Sequence, residues 1–106
     1  MNYIAALNDN FRKTFTGGQV LLTAGIATIS SEDKANIISL VQNFDNFTPD
    51  NNPYAENDFG SFDHKGNKIF FKIDYYNRFN KHFASENPAN SMVTTRVMTI
   101  MLAEEY

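Results

Sequence analysis

The chain contains no cysteine and no tryptophan. Without cysteine there is no disulfide framework, no thiolate zinc site and no thiol nucleophile, which is compatible with a reducing compartment. Apolar runs are short: no stretch approaches the roughly 20 residues that a membrane-spanning helix needs. The start, MNYIAALNDNFRK, has no basic region followed by a long apolar stretch, so no secretory signal is read there. A cytoplasmic protein with no membrane partner is expected. Cations are also scarce, with a formal net charge of -3. A surface that neutralises many phosphates needs clustered Lys and Arg, so direct binding of nucleic acid is not expected. Several catalytic signatures are missing as well. Gly17-Gly18 is not followed by the Lys-Ser/Thr of a phosphate-binding loop, and there is no Gly-x-Ser-x-Gly elbow and no HExxH.

What is present suffices for one domain spanning 1–106, because two independent cores in 106 residues would each be too small to be stable. Its organising stretch is Asp58 to Asn77, two strands around the turn Lys65-Gly66-Asn67. From Lys68 the residues alternate, placing Ile69, Phe71, Ile73 and Tyr75 on one face and Phe70, Lys72, Asp74 and Tyr76 on the other. The first face belongs to a core, and a lone hairpin is only marginally stable, so neighbouring segments must cover it. Ile4, Leu7, Phe11 and Phe15 recur at helical spacing and predict a helix over Asn2 to Phe15, ended by Gly17-Gly18. QVLLTAGIATIS reads as two short strands interrupted at Ala24-Gly25, with a single bulged strand as the alternative. Ser30 with Asp33 three residues on resembles a helix cap, and Ala35, Ile37, Ile38, Val41 and Phe44 extend a helix from about Ser31 to Asn46. Thr48 to Pro53 breaks it. Arg78 to Asn90 reads as a surface excursion. Val93, Val97, Ile100 and Met101 then predict a third helix over Ser91 to Tyr106, a strand through Val97 to Leu102 being the alternative. The expected fold is α+β: a small antiparallel sheet, with the central hairpin at about 58–76, packed against two or three helices.

Between Lys34 and Lys65 there is no basic residue, whereas Asp45, Asp50, Glu56, Asp58 and Asp63 all fall there. Such an excess creates a negative field that can steer a basic partner or imitate phosphates, although charged loops are commonly just solvated. These five acids and Tyr76 are the candidate partner-binding residues; no catalytic residue, metal ligand or cofactor is expected. Glu56, Asp58 and His64, with Asp74 near them, form the one group suited to a carboxylate-rich metal centre, but their spacing matches no established metal motif. Lys72 and Asp74 share a strand face and can pair with each other or with Arg96 of the third helix. Tyr75, Tyr76 and Phe79 form an aromatic patch read mainly as packing beneath the excursion. Arg78, Lys81 and His82 interleave with Phe79 and Phe83, a weak version of the ring-and-cation surfaces that bind single strands.

Six segments carry a resemblance: LNDNFR at Leu7 to Arg12, Gly17-Gly18, TAGI at Thr23 to Ile26, NPYAENDFG ending at Gly60, KIDYY at Lys72 to Tyr76, and TRVMTIMLAEEY at the end. Together they resemble the bacterial domain-of-unknown-function family numbered 3768 over nearly the whole chain. The resemblance implies a small single-domain bacterial protein of the kind often carried on phages, plasmids and integrated elements, with no assigned catalytic residues. Where the family usually reads EHDFG, this chain has Asn57, which can neither titrate near neutrality nor replace imidazole as a ligand of similar strength. The expected function is therefore a non-enzymatic, acidic binding protein of a mobile element. Its partner would be a host protein or nucleoprotein complex, inhibited in the manner of an anti-CRISPR or anti-restriction protein, with self-association compatible. The alternatives are a metal-dependent hydrolase on Glu56, Asp58 and His64, and a nucleic-acid module on Arg78, Lys81, Phe79 and Phe83.

Overall fold

A computed structural model describes residues 2–106. Helix α1 (Tyr3–Thr14) starts where the Asn2 side chain accepts from the Ala5 N–H and stops where Phe15 turns left-handed (φ 56°). Strand β1 (Gly18–Leu22) follows, then a one-turn helix α2 (Ala24–Ala27) and α3 (Ser31–Gln42). The Ser30 hydroxyl accepts from the Asp33 N–H, satisfying an otherwise orphaned donor at the start of α3. A long loop leads to β2 (Phe59–His64), which the Lys65-Gly66 turn joins to β3 (Asn67–Asn77); β4 (Thr94–Leu102) and a 3₁₀ turn (Ala103–Glu105) complete the chain.

The four strands lie in the order β1-β4-β3-β2. β2 pairs antiparallel with β3, and β3 with β4, while β1 joins the far edge parallel to β4. The α+β class holds, with a mixed sheet rather than a purely antiparallel one. Register puts Gly60 opposite Phe71 and Phe71 opposite Ile100, so one face gathers Ile69, Phe71, Ile73, Met98 and Ile100. Phe11 of α1, Ile26 of α2 and Ile37 and Val41 of α3 close over that face in a single core. The hairpin and its buried face are therefore as the alternation predicts. Gly60 leaves room for the rings of Phe71 and Phe44, which a Cβ there would strike.

Three expectations need correction. Ser91 to Tyr106 is not a helix: it contains β4, an inner strand, followed by the 3₁₀ turn. Both of its faces are covered, for Val97 and Met101 on the helix-free face are as buried as their neighbours, which removes the alternation a strand normally displays. The segment after Gly18 is one strand and a helical turn, not two strands, because Ala24 to Ala27 bend to place Ile26 in the core. Glu105 fixes that bend, accepting from the Thr23 hydroxyl (2.6 Å) and from the Gly25 (2.9 Å) and Leu102 (2.9 Å) N–H groups. Finally, α3 ends at Gln42 rather than Asn46, and Phe44 and Phe47 reach the core from the loop instead.

Candidate functional site

The apolar stripe read from the first helix is only part of its buried face. Asn8 and Arg12 are as inaccessible as Phe11, with 0% and 1% of their surfaces exposed. A buried polar side chain needs partners. Asn8 donates to the Glu56 carbonyl (3.0 Å) and to the Tyr75 hydroxyl (2.7 Å), and its Oδ1 accepts from Arg96 Nε (2.8 Å). Arg96, carried by β4, also donates to the Pro88 carbonyl and lies 5.3 Å from the centre of the Tyr75 ring. Arg12 pairs with Asp9 (2.9 Å), donates to the Phe44 carbonyl (3.0 Å) and lies 5.1 Å from the centre of the Phe47 ring. Asn57 in turn donates to both Asp9 carboxylate oxygens (3.1 and 3.2 Å).

The result is a polar seam between α1 and the loop that runs from Asn43 to Asp58. Asn2 extends it by donating to the Tyr54 and Ala55 carbonyls (3.2 and 2.8 Å). Within the loop, Asn52 and Asn57 bond to one another twice, and Phe44, Phe47 and Phe71 stack edge to face. Ala55 and Asn57 both hold left-handed backbone (φ 55° and 57°), a conformation that costs free energy and persists only when the surroundings impose it.

The acid-rich loop is thus held in shape. Asp45 lines an open cleft of about 670 Å³ with Asp9, Arg12, Lys13 and Asn57, and Asp50 is exposed at the loop's far turn. Glu56 and Asp58 are half-buried beside the seam. Burial raises both carboxyls above the ordinary range; Asp58 adds to this at Glu56 and Asp74 at Asp58, while Arg96 partly offsets it at Glu56. Burial likewise pushes the Tyr75 phenol up and the Arg96 guanidinium down. Among the described residues, none of Asp45, Asp50, Glu56, Asp58 and Asp63 has a cation within 4.0 Å.

Not every candidate joins this surface. Asp63 projects from β2 to the face opposite the core, level with Lys68 and near the hairpin turn. Tyr76 lies on the same helix-free face, level with Thr95, and meets Ala84 of the excursion. His64 is separated from Asp58 by the length of β2, about 20 Å at the rise of an extended strand. It bonds instead to Asp33 (3.1 Å), which also pairs with Lys65 (2.8 Å). Glu56, Asp58 and His64 are therefore not assembled into a centre, and among the described residues no group of three or more His, Cys, Asp or Glu is placed to hold a metal.

Lys72 and Asp74 do pair (2.7 Å), but Arg96 faces the other side of the sheet and takes no part. Phe79 does not pack beneath the excursion: it is 81% exposed, and Phe83 is 63% exposed. Sequence reading missed the seam residues Asn8, Asp9, Arg12 and Asn57 and the role of Arg96. The signal was Asn8 and Arg12 at i and i+4, beside the apolar stripe and within the segment LNDNFR.

Four of the segments on which the resemblance rests meet at the seam, through Asn8 and Arg12, Glu56 and Asn57, Tyr75, and Arg96. The family model described as protein of unknown function, DUF3768, matches residues 22–105. The chain belongs to this family. No curated protein and no solved structure matches it. Within the matched DUF3768 region lie the entire acid-rich loop, the hairpin and β4, whereas α1, which supplies half of the seam, precedes it.

Proposed function

We propose that the protein is a non-enzymatic binding protein that presents Asp45, Asp50, Glu56 and Asp58 to a basic surface of another macromolecule. One observation carries the reading: α1 pins the loop bearing these acids through Asn2, Asn8, Asp9 and Arg12, yet the acids themselves lack cationic partners among the described residues. A merely solvated loop needs no such scaffold. A loop fixed in advance loses little conformational entropy on binding, which raises affinity. Unpaired carboxylates at fixed positions reproduce what a basic groove recognises in phosphates.

In its most concrete form the partner is a nucleic-acid-binding host protein, with the protein acting as an inhibitor of a defence complex of the anti-CRISPR or anti-restriction type. The mobile-element setting that the resemblance implies supports that form. Immobilised protein should retain basic host proteins that are released by heparin or by moderate salt. Asp45→Lys and Asp50→Lys together should abolish the retention while leaving the fold intact. Retention that survives both substitutions, or that ignores salt, would overturn the proposal.

A further inference from the structure

At the opposite edge of the sheet from β2, a cleft of about 440 Å³ opens between the turn that enters β1 and the start of β4. Its lining includes Gly17, Gly18, Arg78, Ser91, Thr95 and Arg96, with no carboxylate among the lining residues described. In an acidic protein, two guanidinium-bearing residues and several hydroxyls around one cleft without an acid is an unusual composition.

The donors of Arg78 there are largely unspent, whereas Arg96 is buried and partly committed. Arg78 uses one Nη1 hydrogen in a long bond to the Ser91 carbonyl (3.4 Å) and has no carboxylate within 4.0 Å among the described residues. Arg96 commits Nε and Nη2 to Asn8 and Pro88, leaving its Nη1 without a bond among the described residues. The side-chain hydroxyls of Ser91 and Thr95 make no hydrogen bond among the described residues, and Gly17 holds φ 93° with open space where a Cβ would stand.

We propose that this cleft binds a phosphate group. A guanidinium presents donors in a fork that matches phosphate oxygens, and hydroxyls and glycine backbone can complete the shell at close approach. The phosphate can be free or carried by a nucleotide, since the lining that recognises it is the same. No acid of Asp45 to Asp63 lines the cleft, although Arg96 links it to the acid-rich loop through Asn8.

Titrating isotopically labelled full-length protein with inorganic phosphate at constant ionic strength tests this. Saturable amide shifts should centre on Gly17, Gly18, Ser91 and Thr95, with a dissociation constant in the millimolar range or tighter, roughly 1 mM corresponding to the affinity of a small-anion site. Arg78→Ala should weaken binding about tenfold or more, as expected for losing a charged donor, and Thr95→Val should weaken it less. Lys81→Ala, which alters a cation three residues along the chain from Arg78 and outside the lining, should change it little. A parallel titration with adenosine 5′-monophosphate distinguishes the sources: equal affinity assigns the site to the phosphate alone, and tighter binding assigns it to a nucleotide. Linear, unsaturated shifts, shifts spread over all cations, or equal losses in Arg78→Ala and Lys81→Ala would each overturn the proposal.

Discussion

Single side chains decide how tightly this molecule is tied together, and Asn8 is the clearest case. Its amide joins three elements at once, so removing it strands the Arg96 Nε donor in a buried place and deprives the Glu56 carbonyl and the Tyr75 hydroxyl of a donor. Asn8→Ala should cost about 1–3 kcal/mol, the penalty of leaving a buried polar group unpaired; urea unfolding measures it. Asp33 joins two other elements. Lys65, then His64, then Ser30 hold its carboxyl down from an ordinary 3.8 to about 2. Because the folded value is the lower one, the unfolded chain binds more protons between about 4 and 2, and stability falls as pH drops through that window. Above it the contribution is fully present. Carbon-detected titration should find the Asp33 midpoint near 2 in the wild type, and Asp33→Asn should flatten the acid limb of a stability-against-pH curve.

Whole elements were legible where one face is buried and the other wet. β3 alternates, and its buried residues are the ones its pattern names; α3 starts just after Ser30 because the hydroxyl there caps it. β4 was not legible as a strand, because an inner strand with Val97 and Met101 covered on the second face shows no period of two, and its apolar positions fit a helical spacing equally well. Its Thr, Val and Ile content, favourable for strand, was the better guide. The candidate acids were legible as a cluster, but their rigidity was not. That property belongs to bonds spanning about fifty residues of sequence, such as Asn8 to Glu56, which no local window contains. Gly60 belongs to this scale too: it is the gap through which the loop's Phe44 reaches Phe71. Gly60→Ala should overpack that contact and destabilise the fold by about 1–3 kcal/mol, visible as a lowered thermal midpoint.

On the acid-rich loop of the folded molecule, charge is set against stability. Glu56 and Asp58 have carboxyls raised above their ordinary values, mainly by burial, so their ionised forms weaken the fold. For an acid shifted upward the folded state holds the extra proton, and stability therefore declines as pH rises through the titration. Glu56→Gln with Asp58→Asn should accordingly raise the thermal midpoint at neutral pH while reducing retention of a basic partner. A lower midpoint would show that these carboxylates are structural supports instead. Residues retained at the expense of folding free energy are a mark of function.

The order of the sheet also bears on how the protein is made. β1 is the first of the four strands to be made, yet its neighbour is β4, the last of the four, which also separates it from β3. During synthesis β2 and β3 can pair before β4 is made, a hairpin that is only marginally stable alone, while β1 waits some seventy residues for a mate with its hydrogen-bonding edge open. The sheet can therefore be completed only when β4 enters between two strands made before it, and until then the edges of β1 and β3 that it will cover stand open to pairing with other chains.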